Sequence, residues 1–519
     1  MKKTVDTELL RRAGANCSEE TLKHFLYLNG LQTPEKPAYE WFDEAQGKVV
    51  GVSYLELMSD IAALGTAFHA RGWKDRTIGL IGATSYSWVL AFVTGICSSM
   101  TVLPLDPALS PEELAGRLRH CRTALVLADP QKTEQLGAAV NDREMELYRL
   151  SETDALLEEG RRLLEAGEYA WLDNFVSDKQ RALMIFTSGT GGKNKAAMIR
   201  QENLMAERYV WIGIQANRSK GLLTLPLFHI AGIKDLYGAL LTGATLYLCG
   251  GLRHLLRDYA YVQPVTTFMV PAQAELVCQM LQGRSAEEAR NLLGGHLVAL
   301  RTSGAPMPER MRALFTAWNI DITSDYGMTE TGGPVSVSVM KNGRLFSKPG
   351  SVGRILDCLD VRIDHPDENG CGEVIISGIS IFDGYFEDSE ETEKILRDGW
   401  LHTGDIGRID EDRYLYIVGR SKNILILSNG ENIIPEELEK AVSAIPEVKE
   451  CLVFKKDEKL AVRIYAGTPE PELEKHLSDE VRKLNRTAPA YKQIRIVELA
   501  AEPLPKTSTG KLKRENFHA

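Results

Sequence analysis

The sequence predicts an α/β protein: a large N-terminal domain of doubly wound sheets carrying a small β-rich subdomain, then a small α+β C-terminal domain. Three observations predict it. Residues 77–105 carry no charge and divide into an apolar strand, a capped apolar helix and a second apolar strand. Comparable alternation of strands and helices recurs between residues 52 and 302. From residue 347 to 419 the texture changes to short alternating strands with many glycines and turns such as Glu368-Asn369-Gly370.

In chain order, residues up to about 30 show amphipathic helical spacing. Val52-Ser53-Tyr54-Leu55-Glu56-Leu57 begins a helix running to about Arg71. Residues 77–83 read as a strand, Ser85 or Ser87 as a helix cap, 88–100 as a buried helix and 101–105 as a strand. The uncharged run is long enough to cross a bilayer, but its internal breaks fit a buried βαβ unit, so no transmembrane segment is expected. Pro104-Leu105-Asp106-Pro107 forms a loop, Pro111-Glu112-Glu113 opens a helix, and 125–128 form a strand. Residues 130–180 are polar and read as surface helix and connector. Strands are expected at 182–186, 221–226, 245–248 and 266–270, with a helix at 203–212, and 297–302 lead into a loop. Past Arg420 the pattern is helix 435–443, strands near 451–454 and 461–465, and helix 471–484. This divides the chain into a core of residues 1–420, with its β-rich part at 347–419, and a C-terminal domain of 421–519.

A chain of 519 residues exceeds one ordinary core. Its net charge of −10 and the lack of a long basic run argue against nucleic acid as a partner. The eight cysteines are scattered and form no CxxC, which suggests neither a disulfide scaffold nor a metal site. Reduced cysteines fit a cytoplasmic protein. Met1-Lys2-Lys3-Thr4-Val5-Asp6 leads into no apolar run, unlike a signal peptide. Lys506, Lys511, Lys513 and Arg514 meet no acid until Glu515. They form either a basic surface patch or an arm that brings a cation to a nucleotide.

The chemistry concentrates in Phe186-Thr187-Ser188-Gly189-Thr190-Gly191-Gly192-Lys193-Asn194-Lys195, which follows an apolar strand. Such a loop is either a plain turn or a polyphosphate cradle, with backbone N–H groups as an anion nest and lysines for charge. The spacing of a standard P-loop is absent here, and again at Gly510-Lys511, where Leu512 follows. In Asp325-Tyr326-Gly327-Met328-Thr329-Glu330-Thr331 an aromatic can stack on adenine, a Thr can donate to a phosphate, and a Glu can hold Mg²⁺. Leu225-Pro226-Leu227-Phe228-His229-Ile230-Ala231-Gly232 places a histidine after an apolar strand. In Gly399-Trp400-Leu401-His402-Thr403-Gly404-Asp405 the Asp can accept both ribose hydroxyls.

Together, and in this order, these stretches resemble the adenylate-forming enzymes: acyl-CoA synthetases, luciferases and peptide-synthetase adenylation domains. The loop departs from the family's TSGTTGxPKG at Gly191, Asn194 and Ala196. The resemblance implies ATP or AMP binding by Thr187, Ser188, Gly189, Thr190, Gly191, Gly192 and Lys195. It adds Gly304, Ala305 and Pro306 of the adenine segment, Asp325, Tyr326, Gly327, Met328 and Thr329, and Asp405 with Arg420 at the ribose. Glu330 and Thr190 are implied as catalytic and as holding Mg²⁺, with Lys511 as the catalytic lysine of the C-terminal motif. Lys422 stands at the family's hinge, and Gly430 lies in Ser428-Asn429-Gly430-Glu431-Asn432-Ile433-Ile434-Pro435, which lines the thiol tunnel. His229 is implied as catalytic and as wall and gate of the acid pocket, with Phe228, Gly232, Ser303 and Gly333 as its other lining residues. Amino-acid-activating members carry Asp where His229 stands, so a fatty or aryl acid is expected. The implied activity is ATP-dependent formation of an acyl-adenylate and pyrophosphate, then transfer to CoA. The alternatives are transfer to a phosphopantetheinyl carrier protein, or a nucleotide-binding regulator without catalysis.

Overall fold

The computed structural model describes residues 4–139, 145–187, 195–208, 210, 220–342, 344–427, 431–506 and 512–514. A six-stranded sheet orders its strands Glu146–Arg149, Thr123–Ala128, Thr77–Ile81, Thr101–Leu105, Arg181–Thr187 and Lys195–Arg200. The first five run parallel, and Lys195–Arg200 returns antiparallel at the edge. The βαβ unit at its centre has the expected form. Strand Thr77–Ile81 is buried along almost its whole length, as a strand covered on both faces must be. The Ser85 hydroxyl accepts from the Trp88 N–H and caps helix Tyr86–Cys97. The helix ends before residue 100 because Ser99 takes φ +61, which a helix does not admit.

A four-stranded sheet, Lys48–Ser53, Pro37–Asp43, Thr245–Leu248 and Lys220–Leu223, lies beside it in the N-terminal domain. Its hairpin at 37–53 has no counterpart in the sequence reading. Ser53 ends that hairpin and caps helix Tyr54–Ala70: its hydroxyl accepts from Glu56 N, and Glu56 Oε2 accepts from Ser53 N. A three-stranded parallel sheet, Thr266–Phe268, Ala299–Thr302 and Asp321–Ser324, completes the α/β part. The strands at 220 and 266 stop earlier than expected, at Leu223 and Phe268. In place of an α-helix from 203, a 3-10 helix spans Glu202–Met205 and helical backbone continues through 206–208. The remainder of that expectation, apart from 210, lies outside the described residues.

The segment 130–180 carries the expected surface helix, Thr153–Glu165, but its inner face and the connector after it are more deeply buried than expected. Helix Thr153–Glu165 packs on Tyr54–Ala70 so closely that a Cβ on Gly160 would lie 1.8 Å from the Ala63 carbonyl oxygen. Trp171 is buried below, its indole N–H donating to Ser98 Oγ at 2.7 Å and its ring 5.0 Å from the Lys23 ammonium. The polar residues that suggested a surface cover only the outer face.

The β-rich part pairs Leu359–Asp364, Gly372–Gly378, Trp400–Ile409 and Leu415–Arg420 as successive antiparallel neighbours. Beyond it, helices Pro435–Val442 and Pro471–Thr487 cover the sheet Glu450–Lys456, Lys459–Tyr465 and Ile496–Leu499. This small C-terminal domain has its own core, including Val442, Val453, Val462, Leu477 and Val481. Among the described residues no helix is long and apolar enough to cross a membrane.

Candidate active site

The carboxyl ends of parallel strands are where an α/β sheet places ligands. Strand Arg181–Thr187 ends at Thr187, which pairs with Lys195 as the chain returns. Ser188, Gly189, Thr190, Gly191, Gly192, Lys193 and Asn194 lie between them, outside the described residues. Lys195 is ion-paired with Glu391, and its ammonium lies 5.0 Å from the centre of the Tyr385 ring. Lys195, then Lys394, hold the Glu391 carboxyl down to about 2. The Tyr385 hydroxyl donates to Glu330 Oε1 at 2.7 Å. One tyrosine therefore links the strand that returns after residues 188–194 to Glu330, the carboxylate of the Tyr326-to-Thr331 stretch.

Sequence reasoning passed over both Tyr385 and Glu391. They lie nearly 200 positions from Lys195, and no periodicity connects them. The available signal was Ile381-Phe382-Asp383-Gly384-Tyr385-Phe386, an aromatic-rich stretch around a glycine.

Asp325 follows the sheet strand Asp321–Ser324 and is buried. Arg301 donates to its Oδ2 from Nε at 2.9 Å and Nη2 at 2.5 Å, and Ser338 donates to Oδ1 from its backbone at 3.1 Å. These bonds fix the start of the next strand, Tyr326–Met328, by both carboxylate oxygens. The Tyr326 hydroxyl donates to Asp405 Oδ2 at 2.5 Å, and Arg420 Nε pairs with Asp405 Oδ1 at 2.8 Å. Asp405 and Arg420 are directly opposite one another on paired strands. Burial and the Asp405 carboxylate push the Tyr326 phenol well above its usual range, so it stays a donor. Thr329 and Glu330 sit in the 3-10 turn Thr329–Thr331, held by Thr331 Oγ1 against Met328 N at 3.1 Å. Gly327 passes so close to the next strand that a Cβ would meet the Gly333 carbonyl oxygen at 2.2 Å.

Ser303, Gly304, Ala305 and Pro306 form the partly exposed loop after strand Ala299–Thr302, with Gly304 at φ +86. His229 precedes helix Ile230–Leu241 and leans on Phe228, ring centres 4.5 Å apart. Gly232 keeps the turn close: a Cβ there would lie 2.3 Å from the Pro226 carbonyl oxygen. That helix packs on strand Gly333–Val337. Lys422 is exposed in the 3-10 turn Ser421–Asn423. Gly430 and Lys511 lie outside the described residues. The flanks of Lys511 are tied down: Lys506 bridges Leu512 and pairs with Glu450, and Arg514 pairs with Glu439.

The arrangement holds a buried carboxylate and a lysine on one tyrosine, Glu330 and Lys195 on Tyr385, and a second carboxylate, Asp405, flanked by Arg420 and Tyr326. That set suits a polyphosphate, a divalent cation and a ribose. Comparison with known proteins gives the same direction. Residues 28–386 match the AMP-binding enzyme family, and 422–519 match the AMP-binding enzyme C-terminal domain. A long-chain-fatty-acid–CoA ligase of Rattus norvegicus is 28% identical over 443 residues, covering 71% of this chain and 60% of that protein. The chain thus spans about 60% of the length of such long-chain relatives. The indoleacetate–CoA ligase of Aromatoleum aromaticum is 27% identical over 505 residues, covering 92% of this chain and 96% of its own. Among solved structures, the O-succinylbenzoate CoA synthetase of Bacillus subtilis with AMP superposes at TM-score 0.76. It is 21% identical and covers 95% of this chain and 98% of its own. With its motifs in order on this fold and the family matched across most of its length, the chain belongs to the AMP-binding enzymes of the adenylate-forming superfamily.

Proposed function

We propose that the protein activates a carboxylic acid with Mg·ATP and passes the acyl group to the thiol of CoA. A carboxylate is a poor acyl donor because its leaving group would be oxide. In the first step a carboxylate oxygen attacks the α-phosphorus, the bond from that phosphorus to the β-bridging oxygen breaks, and pyrophosphate leaves. In the second step the CoA thiolate attacks the acyl carbonyl and AMP leaves with the bridging oxygen.

The observation that carries this reading is the chain of contacts Arg420–Asp405–Tyr326 beside Glu330–Tyr385–Lys195. The first group suits a ribose. The second suits the phosphates and their cation. Glu330 turns Oε1 to Tyr385, and its other oxygen fits a magnesium ion, which takes oxygen ligands and neutralises phosphate charge. Thr190 and the nest around it, Thr329 and Lys511 complete the phosphate contacts in this reading. Each well-placed charge-stabilising donor is worth roughly 3–4 kcal/mol. Relatives named as CoA ligases for long-chain, indoleacetic and ferulic acids support CoA as acceptor and a fatty or aryl acid as donor. The same reading divides the chain into residues 1–420 and 421–519, turning at Lys422, with Gly430 at the thiol tunnel. The separate C-terminal core and the family matches on either side of residues 387–421 support that division.

The test is pyrophosphate release with Mg·ATP across fatty, aryl and amino acids, each with and without CoA. One acid class should release pyrophosphate, and CoA should raise turnover with AMP as product. Turnover indifferent to CoA would move the acceptor to a carrier protein. ADP in place of AMP would refute the reading.

A further inference from the structure

We propose that Glu207 sets specificity in the acid pocket, and that the activated acid carries a hydrogen-bond-donating group, a hydroxyl or an amine, remote from its carboxylate. This deepens the function proposed above and rests on it.

Glu207 is 1% exposed, and its Oε1 has no hydrogen-bond partner among the described residues. Buried carboxylate oxygens are costly unless a donor meets them. This one is aimed at the strand that begins with Gly333: a Cβ on Gly333 would lie 3.4 Å from Oε1. Gly333 adds no side chain to the space in front of the carboxylate.

The charges that act on Glu207 are Lys234, Asp235, Arg301 and Asp325. Arg301 is committed to Asp325 through two donors. The Lys234 ammonium lies 4.1 Å over the Phe268 ring. Two cations thus face three carboxylates, and neither cation donates a hydrogen bond to Glu207 Oε1. Burial, the largest cause, pushes its carboxyl up to about 7. Ionised or neutral, an oxygen remains to accept a hydrogen bond.

Three residues on, Val210 borders a hollow of about 260 Å³ lined by Val337, Leu345, Ile355 and Leu356 and by the polar Ser338, Arg354 and Asp357. Glu207 meets the start of strand Gly333–Val337 and Val210 meets its end. Apolar walls with a few placed polar groups are how a site both holds a hydrocarbon and orients it. An acid without a donor would leave Oε1 buried and unmet.

The test uses the full chain and matched acids of one skeleton, alkyl and aryl, with and without a hydroxyl or amino group. Pyrophosphate release gives kcat/KM. Melting-temperature shifts with each acid and a non-hydrolysable ATP analogue give binding without turnover. The wild type should prefer the substituted acids by at least about 100-fold, since a site built to bond a polar group rejects its absence strongly. Glu207→Leu should reverse that preference through KM and, lacking the orphan carboxylate, should melt higher without ligand. A Leu variant that melts lower and keeps the wild-type preference would overturn the proposal, as would a wild type indifferent within each pair. Preferential binding with no pyrophosphate from any acid would uphold Glu207 and count against the proposed activity.

Discussion

Tyr326 and Asp405 meet across two sheets, hydroxyl to Oδ2 at 2.5 Å, while Arg420 holds the other carboxylate oxygen from the neighbouring strand. Asp405 is therefore oriented before any nucleotide arrives. Tyr326→Phe keeps the ring and removes the donor. Hydrogen bonds to charged groups contribute about 1.5–3 kcal/mol, so KM for ATP should rise roughly 10- to 100-fold with a smaller change in kcat. Asp405→Ala should cost more, because it also strands Arg420. ATP saturation of pyrophosphate release measures both.

Tyr385→Phe separates two roles of one residue. The ring beneath Lys195 stays, and the hydroxyl that orients Glu330 goes. The magnesium concentration for half-maximal activity should rise severalfold while the melting temperature moves little. An unchanged magnesium titration would remove Tyr385 from the account of the cation site.

The helix crossing at Gly160 offers a test of packing away from the site. A methyl there would collide with the Ala63 carbonyl, which is backbone and cannot rotate aside. Gly160→Ala should destabilise by about 1–3 kcal/mol or more, read as a lower denaturant midpoint. It should not alter KM for ATP in the remaining folded protein.

The pH dependence of stability has a definite sign at Glu207. Its carboxyl is raised from 4.5 to about 7 in the folded protein, so the folded state binds a proton more tightly than the unfolded one. The contribution is fully present below pH 4.5 and is lost as pH rises through 7. By linkage it amounts to about 3 kcal/mol. Glu207→Gln should flatten this part of the stability curve, gaining on the wild type between pH 4.5 and 7. Parallel curves for the two proteins would contradict the assignment.

The sequence made the βαβ unit legible because its information is local: uncharged strands, a Ser85 cap and a break at every junction. The same holds for the order of the site motifs. Hairpin 37–53 was missed because Pro37–Asp43 mixes Tyr, Glu, Trp, Phe and Asp without clean alternation. It is stabilised by pairing with Thr245–Leu248, 200 residues away. Buried Trp171 was hidden for the same reason, and so were the partners of Lys195. Glu207 was least legible of all, because an acid beside Arg208 reads as the exposed side of a helix until its neighbours are known.

Lys511 carries the division of labour between the two half-reactions in this account. Lys511→Ala should cut acyl-adenylate formation by about 10²–10³-fold or more. Thioester formation from preformed acyl-adenylate should persist. Equal loss of both half-reactions would deny the residue that role.

The most direct measurement follows the oxygen. With the responding acid labelled in its carboxylate with oxygen-18, the protein, Mg·ATP and CoA should yield AMP carrying one labelled oxygen for each acyl-CoA formed. Unlabelled AMP, or label in inorganic phosphate beside ADP, would contradict activation through an acyl-adenylate.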